Sequence, residues 1–170
     1  MFIGHLGVAF AAKKYSPKPS LGTFFIATQF IDLLWPVLLL LSIEEVAIEV
    51  GITAVTPFNF ISYLISHSLL AVIAWSLIVG GIYYFYKKEK TAAIILGAVV
   101  LSHWLLDLIT HRPDLEIIPG LGIMVGFGLW DSIIGTIVVE GTIFTIGVFF
   151  YFKFNGSTFQ PNIYVLIMPL

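Results

Sequence analysis

Cysteine is absent from this 170-residue chain. Disulfides, thiolate nucleophiles and cysteine-type zinc sites are thereby excluded, so any metal must be held by histidine and carboxylate. Charge is scarce as well: Asp, Glu, Lys and Arg make up 11% of residues, under half the share of an ordinary soluble domain. With a net charge of −2 and scattered basic residues, nucleic acid is excluded as a partner. No internal repeat or low-complexity tract is visible, which counts against the inverted-repeat folds of alternating-access transporters. What fills the chain is apolar: 59% hydrophobic residues and a mean hydropathy of +1.03. The class is integral membrane protein, and the length suits one bundle without a second domain.

The apolar segments separate cleanly along the chain. Phe2–Ala12 is too short to cross the hydrocarbon layer. It ends in Ala-Phe-Ala like a secretory signal, but Lys13 and Lys14 follow the apolar run where a signal carries them in front, so it reads as retained structure. Four full spans are expected, at Leu21–Ser42 with a kink at Pro36, Phe58–Tyr86, Thr91–His111 and Trp130–Phe152. The fold class is therefore all-α, a bundle of four transmembrane helices plus a short N-terminal apolar helix. One helical domain covers 1–154, and 155–170 is a tail of unassigned structure. Glu44, Glu45 and Glu49 mark a polar loop, and Asp131 suits a helix start. The aromatic residues are expected at lipid-facing and interfacial positions.

Lysine placement orients the bundle. Lys13, Lys14 and Lys18, then Lys87, Lys88 and Lys90, then Lys153 fall on one side if four spans separate them. The positive-inside rule makes that side cytoplasmic, with the 44–49 and 112–129 loops outside. Asp32, His103 and Glu140 then lie near mid-depth, with His67, Asp107 and His111 nearer the outer side.

Those polar residues form the chain's most informative pattern. The four histidines, His5, His67, His103 and His111, all lie in or at the end of apolar segments, as do Asp32 and Asp107. His103, Asp107 and His111 follow i, i+4, i+8, which stacks them along one helical stripe. An ionisable group near the bilayer centre costs roughly 3 kcal/mol. One such residue is ordinarily a hydrogen-bonded packing group. Six together would cost on the order of 15 kcal/mol uncompensated, about what a structural zinc returns, roughly 10–16 kcal/mol. The expected site takes one or two divalent ions, zinc by default for His and carboxylate donors, on His5, Asp32, His67, His103, Asp107 and His111. Ser66, Ser68, Ser102 and Thr110 flank the histidines as candidate supports. Asp32 and Glu140 are the candidate general bases, with Glu140 equally open as a ligand or a helix–helix hydrogen-bond partner.

In order, Phe-Ile-Gly-His5-Leu-Gly, Gln29-Phe-Ile-Asp32-Leu-Leu-Trp-Pro36, Ser66-His67-Ser68 and Ser102-His103-Trp-Leu-Leu-Asp107-Leu-Ile-Thr-His111-Arg-Pro-Asp114 resemble the predicted membrane-bound metal-dependent hydrolases of the YdjM type, over roughly residues 1–153. The sequence of ligands is also distantly similar to zinc-dependent phospholipase C. Thr136 stands four residues before Glu140, where that enzyme's later His-x-x-x-Glu pair would need histidine. The resemblance implies an inner-membrane location and hydrolysis of a phosphoester or lipid-linked substrate that enters sideways from the bilayer. The alternatives are a metal-ion or proton transporter and a metal-stabilised structural protein without turnover. Homo-oligomerisation is compatible with each.

Overall fold

The computed structural model describes residues 1–155. Of the tail expected over 155–170, Asn155 closes the last described helix and 156–170 lie outside the described residues. In chain order the elements are α1 (Ile3–Ala12), α2 (Leu21–Thr28), α3 (Phe30–Leu40), β1 (Glu45–Ile48), β2 (Phe58–Ser62), α4 (Leu64–His67), α5 (Leu69–Lys87), α6 (Lys90–Thr110), β3 (Leu115–Glu116), β4 (Met124–Val125), a 3-10 turn at Leu129–Asp131, and α7 (Ile133–Asn155).

Three helices are long and apolar enough to cross a membrane unbroken: α5, α6 and α7. The pair α2–α3 makes a fourth candidate span, but it bends by 51°. The four expected spans become three unbroken helices plus this broken one, and the kink expected at Pro36 moves to Gln29. The break falls at Gln29, seven residues before Pro36, and α3 runs on through the proline. Half of the α6 spanning window is buried inside the protein, against 11% for α5 and 17% for α7, so α6 is the central strut. Its buried stripe runs Ala93, Leu96, Val100, His103, Asp107, Thr110, a helical spacing that begins apolar and ends polar. The outward faces of α5 and α7 carry exposed Leu77, Phe85, Ile134 and Ile137. On helices of this length such faces meet acyl chains.

Two crossings depend on glycine. The helix α1 lies against α7, and a Cβ on Gly147 would stand 2.0 Å from the Gly7 carbonyl oxygen. Small residues let membrane helices approach this closely. Gly97 likewise lets α6 meet the Ser76 carbonyl of α5, which also sends its Oγ to the Gly97 carbonyl, 2.7 Å away.

The all-α expectation needs one correction. β1 and β2 form an antiparallel hairpin, Val46 opposite Phe60 and Ile48 opposite Phe58, and β3 and β4 form a second, shorter one. Phe58–Ser62 is aromatic and β-branched with polar residues interleaved, a pattern that favours strand over helix. The span expected from Phe58 therefore begins at Leu69, where Ser68 caps the helix by accepting the Ala71 amide at 3.3 Å. The last span starts similarly: Ser132 Oγ accepts the Gly135 amide, a cap expected of Asp131.

The basic segments share one end of the bundle. Lys18 Nζ lies 2.5 Å from Glu89 Oε1, joining the segment after α1 to the α5–α6 turn, and Lys14 sits over the Phe154 ring at the end of α7. Both hairpins lie at the other end, where the Ala54 amide donates to the Trp130 carbonyl. The polar residues of α6 face that second end.

Candidate metal centre

Helix α6 supplies His103 and Asp107 one turn apart, both fully buried. The first helix brings His5 alongside: its ring stacks on that of His103 with centroids 3.9 Å apart and planes 10° apart. The break at Gln29 brings Asp32 in the first turn of α3. It also releases the Thr28 carbonyl, which accepts a hydrogen bond from His103 Nδ1 at 2.8 Å. Irregular backbone at membrane depth is tolerated where protein buries it, and here the loosened carbonyl orients an imidazole. The four-residue helix α4 delivers His67 at its last position.

The side chains converge on two sets of potential ligand atoms, His5–His103–Asp107 and Asp32–His67–His103, each with atoms within 4.8 Å of one another. His103 Nε2 lies 3.1 Å from Asp107 Oδ2 and 3.4 Å from Asp32 Oδ1; His5 Nε2 lies 3.3 Å from Asp107 Oδ1. His67 Nε2 is 3.7 Å from Asp32 and 3.9 Å from Asp107. The Met1 amino group stands 2.7 Å from Asp107 Oδ1. The Nε2 atoms of His5 and His103 are buried with no hydrogen-bond partner. Orphaned polar atoms at this depth are costly. Directed at two carboxylates, they form a donor set that fits a divalent cation, with nitrogen and oxygen donors and no sulfur. These His/Asp groups could hold a metal ion.

His111 sits at the edge. It follows the last residue of α6, and its Nε2 is 4.0 Å from Asp107 Oδ2. Its Nδ1 donates to Asp114 Oδ1 at 3.1 Å. Asp114 also accepts from the Tyr63 hydroxyl and from Arg112 Nε, both at 2.8 Å. Burial by itself would raise the Asp114 pKa, but the bonds from His111, Arg112 and Tyr63 prevail and hold its carboxyl below the usual range. Burial and the Asp114 charge push the Tyr63 hydroxyl far above its ordinary value, so it stays a donor. The loop after α6 closes this end of the helix. Gly128, in the left-handed region at φ 71°, donates its amide to the His111 carbonyl, and the Phe127 amide bonds the Leu108 carbonyl.

Glu140 lies outside both sets. Its Oε2 accepts from the backbone amides of Phe2, Ile3 and Gly4 at 3.0, 3.0 and 3.4 Å. The N-terminal amides of α1 lack intrahelical partners, and the helix dipole favours an anion there. Among the flanking hydroxyls only Ser66 touches a histidine. Ser68 caps α5, while Ser102 and Thr110 bond back to helix carbonyls.

Two features had escaped the sequence. Glu44, read as a loop acid, is buried and accepts from the amides of Ile65 and Ser66 and the Ser66 hydroxyl. Some aromatics are site walls, contrary to the lipid-facing expectation: Trp130 and Phe60 stand 4.3 and 5.0 Å from the His111 ring, and Trp35 stands 6.3 Å from that of His67. Asp32 alone of the two sets is part-exposed, 37% of its side chain being accessible.

A family model described as "YdjM inner membrane protein" matches residues 52–166, well over half of the chain. The matched region contains His67, His103, Asp107 and His111, while His5 and Asp32 lie upstream of it. Comparison with curated proteins and with solved structures gave no match. With apolar helices able to span a bilayer and a family match of that extent, the chain belongs to the YdjM inner membrane protein family.

Proposed function

We propose that this inner-membrane protein is a metal-dependent hydrolase, with zinc as its ion and a phosphoester or lipid-linked molecule as its substrate. One observation carries the reading. Side chains of metal-ligand type on α1, α3, α4 and α6 converge at a buried point with unpartnered imidazole nitrogens among them. A bound Zn²⁺ supplies a water acidified toward pKa about 7 and polarises a phosphoryl or acyl oxygen.

The protein's own residues divide the remaining work. His5, His103 and Asp107 form the closed wall and His67 the opposite one. Asp32, the accessible member, is where a substrate reaches the site and where a proton can be taken from an attacking water. Glu140 has a positioning role in place of the basic one: by holding the α1 amides it fixes the helix that carries His5. The aromatic wall of Trp35, Phe60 and Trp130 suits an amphipathic substrate arriving from the bilayer.

The test is metal analysis of protein purified without chelator, followed by phosphodiesterase and esterase assays with and without chelator. Roughly one or two equivalents of zinc and chelator-sensitive hydrolysis are expected. Well under half an equivalent would defeat the metal reading. Full occupancy with no hydrolysis of any substrate class would turn the assignment toward an ion conduit or a structural metal.

A further inference from the structure

We propose that Glu44, acting through Ser66, decides which nitrogen of His67 is free to bind metal, and so is a positioning residue for the site. The inference rests on the metal reading of the cluster, but its central measurement needs no metal.

The argument follows from donor and acceptor directions. Glu44 Oε1 accepts the amides of Ile65 and Ser66 at 2.8 and 2.7 Å, and Oε2 accepts the Ser66 hydroxyl at 2.6 Å. A carboxylate so placed only accepts. The Ser66 hydroxyl has one proton and a second acceptor within range, the Tyr63 carbonyl at 3.4 Å. The shorter bond to the charged oxygen takes it. Ser66 Oγ also lies 2.7 Å from His67 Nδ1. With its proton committed to Glu44, the serine can only accept there. His67 must then carry its proton on Nδ1, leaving Nε2 as the lone-pair nitrogen, and Nε2 faces Asp32 and Asp107.

His103 and His111 need no such device. Their Nδ1 atoms meet groups that only accept, the Thr28 carbonyl for His103 and the Asp114 carboxylate for His111. A hydroxyl can point either way, so His67 requires a further residue to set the direction, whereas His5 Nδ1 is buried with no hydrogen-bond partner. That requirement also explains a buried carboxylate far from the cluster in sequence. Hydrogen-bonded partners behind ligating histidines commonly govern metal affinity by 10–100-fold.

Glu44→Gln reverses the chain. The two backbone amides keep the amide oxygen, so the NH₂ group falls against Ser66 and donates to it. Of its two remaining acceptors the serine proton then takes the nearer, His67 Nδ1 at 2.7 Å against the Tyr63 carbonyl at 3.4 Å, and forces the imidazole proton onto Nε2, the ligand atom. The test is ¹⁵N NMR of the histidine-labelled, metal-free protein in nanodiscs, with the His67 signal assigned by its loss in His67→Gln. Zinc affinity is measured in parallel. In the unaltered protein, His67 should show a protonated Nδ1. In Glu44→Gln it should show a protonated Nε2, with zinc affinity roughly 10–100-fold lower. Ser66→Ala, which leaves both amide bonds to Glu44 in place, should abolish the tautomer preference, and Ser66→Thr should restore it. It carries the test if Glu44→Gln fails to fold. An unchanged His67 tautomer in Glu44→Gln or Ser66→Ala overturns the proposal. Failure of the unaltered protein to bind zinc would instead sink the metal reading, while the tautomer reversal still decides the role of Glu44.

Discussion

The imidazole of His5 lies flat on that of His103, centroids 3.9 Å apart, although 98 residues separate them in the chain. The stack presents two unpartnered Nε2 atoms to the same carboxylate, Asp107. His111, by contrast, approaches Asp107 only to 4.0 Å and belongs to neither ligand set.

A ranking of variants follows. His103→Ala and Asp107→Asn should each lose metal retention and lower the melting temperature, and His111→Ala should be better tolerated. An ion present at a hundred times its Kd stabilises a fold by about 2.7 kcal/mol, which is the scale of the loss. Metal content and thermal melts of the three purified variants check it. Equal loss at all three, or none at any, contradicts the ranking.

The α1–α7 crossing makes a second test. Gly147→Ala places a methyl 2.0 Å from the Gly7 carbonyl oxygen, so one helix must shift. A loss of about 1–3 kcal/mol is expected for overpacking. Gly141→Ala, on the same helix with nothing within 4 Å of the added atom, should be neutral or slightly stabilising. Matching melts for the two variants would mean the helices do not meet at Gly147.

Acid should loosen the end of the bundle around Asp114. Its pKa lies below the unfolded value, so its stabilisation is complete above the ordinary carboxylate range. That stabilisation is lost as pH falls through the lowered native value. Asp114→Asn should therefore cost about 1–3 kcal/mol at neutral pH and flatten the acid side of the stability profile. A profile as steep as that of the unaltered protein would assign the acid loss to other carboxylates.

Orientation is testable because the chain has no cysteine. The lysine-bearing ends are expected inside and the hairpins outside. A single cysteine at exposed Glu45 should react with a membrane-impermeant reagent on intact cells, and one at Lys90 should not. Labelling at 90 alone would invert the topology.

Much of the bundle was legible because span length and hydropathy are local properties. α5, α6 and α7 lie along segments the sequence marks out, apart from the start expected at Phe58 and small shifts at the ends, and the histidine stripe on α6 follows from spacing alone. The hairpin was hidden because Phe58–Ser62 is apolar and runs directly into the next apolar stretch. The broken span was misplaced for a related reason. Pro36 carries the local signature of a kink, whereas the actual break is supported by His103, far along the chain, bonding the Thr28 carbonyl. Glu44 sits beside two solvent-facing glutamates in sequence, and nothing local separates it from Glu45. Its partner Ser66 is 22 residues away, a relationship that only the folded chain displays.

The grip of Glu140 on the start of α1 has a consequence for synthesis. Among the described helices, the first in chain order carries His5, but the residue that holds its amides belongs to the last, α7. His103 and Asp107 can be in the bilayer while α7 is still being translated. Until α7 inserts, α1 packs on α2 and α6 without the carboxylate that holds its amides, and His5 is less firmly placed. The nascent protein thus passes through a stage with a loosely held centre, and the closing event is the arrival of α7.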